Sequence, residues 1–437
     1  MLIAAMLGAA ISLHFRGLSR KYLRLSGSLG SLTVGDYFAT LGRGLVLNCI
    51  EERKTGTDRD LEGADISVSL AELLEVRMLG GWLRENAALD TTRTMAGGQA
   101  VVPILRDLSL SVIYLRANVG YKKQADIFGR PVEEIYGGAL RVGYGPVETY
   151  VEFDRRRTYG KLVDQTLGWE GADDVRGQAG YASASFNIPG FGFSIDMKDY
   201  RGFNTGFNAP PAVNRDGWLL NAAYDERGYQ LQATASLHPA VTLTANHSGA
   251  ESRHDYRWPY LSDNPGDSIG KYCWQDYFLE VKTQAGQGWS LSAQAFRRSE
   301  KNLQPDVKLR HYSGGGVEVV WKYGLRSSLD FAVIYKIYDN GYLDGSLRYR
   351  ASAAEFKWSP FPAVSIYGSG ESASHRVPEY ENQRRWGEVG CDVGFAENSQ
   401  HIILSVGQTK GGLVCSGGFC RFEPSFRGLK ASWEWRF

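Results

Sequence analysis

The amino-acid sequence predicts an all-β chain: a transmembrane, antiparallel, up-and-down β-barrel of about 20–22 strands, with short periplasmic turns and long extracellular loops. Three observations predict it. Apolar and polar residues alternate with a period of two in segment after segment. Short and long connectors take turns along the chain. Glycine (52 of 437 residues) and aromatic residues (19 Phe, 11 Trp, 24 Tyr) are frequent while proline (14) is not, as many strands joined by tight turns require.

The alternation is clearest at the C-terminus. There Leu429, Ala431, Trp433, Trp435 and Phe437 fall on one face and Lys430, Ser432, Glu434 and Arg436 on the other, the spacing of a strand with one lipid-facing side. Leu429, Trp433, Trp435 and Phe437 are therefore expected to face the membrane. The same pattern sets Val389, Cys391, Val393 and Phe395 against Glu388 and Asp392. It sets Leu329, Phe331, Val333, Tyr335 and Ile337 against Asp330 and Lys336, Val147, Thr149, Val151 and Phe153 against Glu148 and Glu152, and Phe191, Phe193, Ile195 and Met197 against Asp196 and Lys198. The polar members, with Glu280 and Lys282, are the expected lumen-facing set.

Connector length separates a membrane barrel from a soluble sandwich. Turns at Gly145-Pro146, Pro189-Gly190, His238 to Ala240, Gln284 to Gly288 and Glu397 to Gln400 alternate with long polar stretches such as Tyr200 to Gly228 and Ser248 to Tyr272. A transmembrane barrel sorts its connectors to two sides of a bilayer, and a sandwich has no reason to. The expected location is the outer membrane of a Gram-negative bacterium.

Residues 20–437 form the expected barrel and residues 1–19 a separate N-terminal apolar segment. Met1 to Leu13 is too short for a spanning helix. It reads either as a signal-peptide remnant, against which no Lys or Arg precedes it, or as a partial first strand with Ala9, Ile11, Leu13 and Phe15 on one face. An even-stranded barrel favours the strand.

Charge and motifs exclude several functions. With 49 Lys+Arg against 48 Asp+Glu and no basic tract, no nucleic-acid partner is expected. The seven histidines lack metal-ligand spacing, no catalytic elbow is present, and Gly266, Gly270, Lys271 and Tyr272 fall one residue short of a phosphate loop. Neither catalytic residues, nor a metal, nor a cofactor is expected. Five cysteines form no zinc pattern. Cys415 and Cys420 bracket Ser-Gly-Gly-Phe and read as a hairpin-tip disulfide of an oxidising compartment. Cys391 falls on an apolar strand face, and Cys49 and Cys273 in or beside outer loops.

Residues Gly42 to Gly63 carry Glu51, Glu52, Arg53, Lys54, Asp58, Arg59 and Asp60. This mixed charge reads either as a constriction folded into the lumen or as a solvated surface loop. Two functions follow. One is a porin-like passive channel for small polar solutes, its lumen lined by mixed charge. The other is a non-conducting scaffold that docks a surface or periplasmic partner protein, through aromatic loops such as Tyr256, Trp258 and Tyr260. In either case the further expected partners are outer-membrane lipid and, through the C-terminal strand, the barrel-assembly machinery.

The segments VGDYFATLGRGLVLNCIEERKTGTDRDLEGA (Val34 to Ala64), GFNAPPAVN (Gly206 to Asn214), WQDYFLEV (Trp274 to Val281) and LVCSGGFCRFEPSFRGLKASWEWRF (Leu413 to Phe437) resemble a family of Gram-negative outer-membrane β-barrel proteins catalogued as a domain of unknown function. The resemblance runs from about Arg20 to Phe437. Its most specific pieces are the Gly-x-Gly-Leu loop with paired glutamates (Gly42, Gly44, Leu45, Glu51, Glu52) and the Cys-Ser-Gly-Gly-x-Cys-Arg hairpin. It implies fold and location, and carries no activity.

Overall fold

The computed structural model describes residues 10–435, apart from connecting residues 17–19, 53–56, 71–72, 86–90, 122–131, 160–162, 165–168, 171–173, 218–224, 254–270, 287, 305–306, 325–326, 343–344, 378–382, 396–399, 411, 417–418 and 424. Among the described residues the secondary structure is all β, and the fold is the antiparallel up-and-down β-barrel of the outer membrane. The chain divides into two compact units: Met1–Phe186 with Ile195–Tyr229 and Cys415–Cys420, and Asn187–Ser194 with Gln230–Val414 and Arg421–Phe437.

In the first unit the strands Ala10–Arg16, Arg20–Gly27, Gly30–Tyr37, Thr57–Leu70, Leu74–Glu85, Thr91–Leu105, Leu108–Tyr121, Val132–Tyr144, Val147–Tyr159 and Asp174–Ile188 each pair antiparallel with the next. Ala10–Arg16, from the N-terminal apolar segment, is thus a strand on the edge of Arg20–Gly27. The second unit runs the same way through Val241–Ser252, Cys273–Gln284, Trp289–Gln304, Val307–Lys322, Ser328–Tyr342, Gly345–Phe361, Val364–Val377, Gln383–Phe395, Gln400–Thr409 and Phe426–Trp435. Two further strands are Phe191–Arg201 and Asp225–His238.

One face of each sheet meets lipid. Val151 and Phe153, Phe191, Phe193 and Met197, Phe331 and Val333, and Val389 and Val393 are all exposed, the recurring apolar face that a bilayer accommodates and water does not. Leu429 and Trp433 are exposed beside their cross-strand partners Val406 and Ile402, so they continue the same apolar band. Phe437 and the Trp435 side chain lie outside the described residues. Trp289 and Trp321 stack with ring centroids 5.1 Å apart, next to the turn at residues 285–288. Trp358 donates to the Tyr323 hydroxyl at 2.9 Å in the same belt. Amphipathic rings gather at a bilayer interface in this way, and these mark the short-turn side. No helix among the described residues is long and apolar enough to cross a membrane.

Candidate functional site

The inward face of the first unit is covered by two segments of its own chain. After the strand Gly30–Tyr37 the chain turns inward as a small hairpin, Ala39–Leu41 paired with Leu47–Cys49. Its side chains Leu41, Leu45, Val46, Leu47 and Cys49 are fully buried, in one apolar cluster with Leu61, Leu79, Ile113, Leu115 and Ile135 from the surrounding strands. Burying side chains of this size contributes about 1.5–3 kcal/mol each before ordering costs. That is why a run as apolar as Leu45-Val46-Leu47 does not stay in a solvated loop.

The hairpin tip explains its glycines. Gly42 and Gly44 have φ of +61° and +84°, a region that β-carbons disfavour. A β-carbon on Gly42 would also come within 1.8 Å of the Glu152 carboxylate. That carboxylate clamps the tip: Glu152 Oε2 accepts from the Arg43 amide at 2.9 Å and from the Tyr150 hydroxyl at 2.5 Å. The Arg43 guanidinium, exposed at the tip, lies 4.5 Å from the centroid of the Tyr150 ring, a cation–π contact.

The second covering segment, residues 202–213, packs on the first. The Asn48 amide donates to the Phe207 carbonyl and the Ala209 amide to the Gly44 carbonyl, both at 3.0 Å. The Asn208 side chain donates to the Leu45 carbonyl at 3.0 Å and the Phe203 carbonyl at 2.8 Å. Phe203 and Phe207 are fully buried. Beneath them Lys198 Nζ, with 0% of its side chain exposed, donates at 2.6 Å both to Glu226, also 0% exposed, and to the Ala212 carbonyl. The Tyr200 hydroxyl donates to the Pro211 carbonyl at 3.0 Å. Arg156 pairs with Glu133 and donates to the Gly202 carbonyl at 3.0 Å. Buried charges persist in pairs like these because an unpaired one would cost several kcal/mol. The ion pairs therefore fasten the segment to the wall.

The residues expected to face the lumen stand in different surroundings. Glu148 pairs with Arg141 at 2.9 Å and is accessible. Asp196 accepts from the Tyr181 hydroxyl at 2.6 Å. Glu280 accepts from Ser292 at 3.0 Å and lies 3.1 Å from Lys282. Lys336 sits 5.8 and 5.9 Å from the Phe296 and Tyr312 ring centroids, and Asp330 lies on the same strand face as Lys336. Glu152 and Lys198, by contrast, do not line water: both are sealed under the covering segments.

Of the charged run, Glu51 and Glu52 form a short strand paired with Asp58 and Thr57. Arg59 is partly buried and Asp60 buried. Arg53 and Lys54, and the side chains of Glu51, Glu52 and Asp58, lie outside the described residues. So do Tyr256, Trp258 and Tyr260 and the side chains of Cys415 and Cys420, which stand in the paired strands Gly412–Ser416 and Phe419–Glu423. Cys391 and Cys273 are free thiols. Cys49 is not in an outer loop, because the apolar hairpin carries it into the interior. Likewise Tyr200 to Gly228, expected as a polar loop, is buried along much of residues 203–213.

Sequence reasoning missed the covering segments. The available signal was compositional: Leu45-Val46-Leu47 and Phe203 to Val213 are too apolar for loops in water. Among the described residues no group of three or more His, Cys, Asp or Glu side chains could hold a metal ion.

The sequence profile described as a family of unknown function (DUF6029) matches residues 2–213 and 223–437, and no curated protein sequence matches the chain. Among solved structures the chain is similar to the copper transporter OprC: 12% identity, TM-score 0.49, covering 97% of this chain and 79% of that one. It is similar to the siderophore receptor PirA from Acinetobacter baumannii at 7% identity and TM-score 0.45, covering 94% and 72%. A third is the FrpB iron transporter from Neisseria meningitidis (F3-3 variant), at 10% identity and TM-score 0.43, covering 94% and 77%. The expectation of a porin-like passive channel is corrected: the inward side of the first unit, expected to line an open charged lumen, is packed with the chain's own apolar segments.

Proposed function

We propose that this chain, which belongs to the family of unknown function DUF6029, is a gated outer-membrane transporter for a small ligand, closed at rest by its own in-folded segments. One observation carries the reading: the hairpin Ala39–Leu41/Leu47–Cys49 and residues 202–213 are packed on the inward wall and on each other by directed hydrogen bonds as well as apolar contact. Passage along that wall requires them to move, and movement requires a ligand or partner with higher affinity for the displaced state. Arg43 at the accessible tip, with Tyr150 and Tyr181 beside it, is the natural handle for such a ligand. Glu148 and Asp196 stand on the same inward side and would line the path once it opens.

The test is conductance in planar bilayers. The purified wild-type protein should show no steps at moderate voltage, and a variant with residues 42–48 replaced by a short Gly-Ser linker should show them. Steps of equal size and frequency from both proteins would overturn the reading. A silent variant that is folded by its heat-modifiable migration would overturn it too, by showing that these segments are not the gate.

A further inference from the structure

The bilayer-facing side of the second unit carries a groove of about 520 Å³ that the transport reading does not use. It exists because small residues stand where the rest of the band has large ones. Ala233, Ala245 and Ala295 form its floor, and Phe193, Leu231, Tyr277 and Leu279 rise around it. In register, Leu279 lies opposite Ala245 on one side and Ala295 on the other. The outline is that of a slot for a hydrocarbon chain.

One charge stands at its end. Arg297 lines the groove and is exposed. Its cross-strand neighbours are Tyr277 and Ser313, and its same-face neighbours along the strand are Ala295 and Ser299, so no acidic side chain answers it from those positions. Depth follows from the strand. Trp289 belongs to the aromatic belt of the short-turn side, and Arg297 is eight residues further on. At ~3.4 Å per residue and a tilt of about 40° that is a rise of roughly 20 Å, which puts Arg297 at the outer edge of an apolar band about 25 Å tall. An unanswered guanidinium at that level meets the phosphates of outer-leaflet lipid, to which it can donate two parallel hydrogen bonds. His247, stacked on Tyr277 at 4.2 Å, completes a polar rim above the slot.

We infer that the Ala245/Ala295 groove and Arg297 form a binding site for one phosphorylated lipid of the outer leaflet, an acyl chain in the groove and a phosphate on the guanidinium. Native mass spectrometry of the full-length protein in detergent tests it, using as probes a phosphorylated, multiply acylated disaccharide lipid, the same lipid without phosphate, and inorganic phosphate. The wild type should hold one phosphorylated lipid through detergent washing. Arg297→Gln should weaken that binding about tenfold or more, the loss of a charge-assisted contact, and Arg297→Lys should keep part of it. Ala295→Leu, which fills the groove without touching the charge, should weaken it similarly. Equal retention by wild type, Arg297→Gln and Ala295→Leu would overturn the site, as would equal affinity for the dephosphorylated lipid. Displacement of the lipid by inorganic phosphate would reduce it to an anion site, and a protein dimer in place of a lipid adduct would assign the groove to a second copy. Both substituted positions lie on the lipid face, and heat-modifiable migration confirms that each of the three variants is folded.

Discussion

The strands Leu108–Tyr121 and Trp289–Gln304, one in each unit, bury different kinds of side chain on their inward faces. In the first unit the strand Leu108–Tyr121 turns Ile113, Leu115 and Ala117 inward, and all three are buried. In the second unit the strand Trp289–Gln304 turns Ser292, Gln294, Arg298 and Glu300 inward. Arg298 pairs with Asp276 at 2.9 Å and stacks over Trp274 and Tyr312, at 5.3 and 5.8 Å from the ring centroids. The second unit also has a small inward cluster around Tyr349, Ala351, Ala373 and Trp386, with the Tyr338 and Tyr349 rings stacked at 4.7 Å. Arg298, Asp276, Glu300 and Trp274 are buried too, so the two walls differ in how their buried side chains are held: by apolar contact around Ile113 and Leu115, and by charges paired and stacked on rings around Arg298.

Five single changes and one paired change should break or sharpen this contrast. The largest effect is expected from Lys198→Ala, which strands Glu226 without its partner in a fully buried site and should cost about 3–5 kcal/mol. The paired change Lys198→Met with Glu226→Leu should restore most of that loss. Urea unfolding in lipid vesicles measures both, and a single variant as stable as wild type would mean that the pair does not hold the segment. Phe207→Ala should cost about 3–5 kcal/mol as well, toward the low end if the segment collapses into the cavity. Tyr312→Ala in the second unit, which gives up aromatic contacts on a half-exposed wall, should lose nearer 0.5–1.5 kcal/mol. Equal losses at the two sites would erase the contrast.

Asn208→Ala should cost about 1–3 kcal/mol, because it leaves the Leu45 and Phe203 carbonyls buried without their donor. Proteolysis near residue 44 should speed up with it, and no change in cleavage would detach Asn208 from the hairpin's stability. The last change is Trp433→Arg on the lipid face. It should cost about 2–4 kcal/mol if the site is at mid-depth and close to zero near the interface. If Arg were better tolerated at 433 than at 432, the bilayer face would be on the other side of that strand.

Most of the wall was legible in the sequence because a bilayer imposes a period of two on every strand that crosses it. Phe191, Phe193 and Met197 could be assigned outward from spacing alone. The covering segments were not, because their partners lie far away in sequence and no local period links Leu45 to Phe207. A trace was nevertheless present: Leu108–Tyr121 is apolar on both faces, with Leu110, Val112 and Tyr114 exposed to lipid and Ile113 and Leu115 buried, and a strand apolar on both sides is one covered on both sides. Beside the charged run from Glu51, Leu45, Val46 and Leu47 are buried inward, because moving apolar side chains out of water is favourable.

The hydrogen bond from Asn208 to the Leu45 carbonyl joins residues 163 apart in the chain. Closing so long a loop costs more chain entropy than closing any hairpin of the wall, so this contact gains from every strand paired between its two ends.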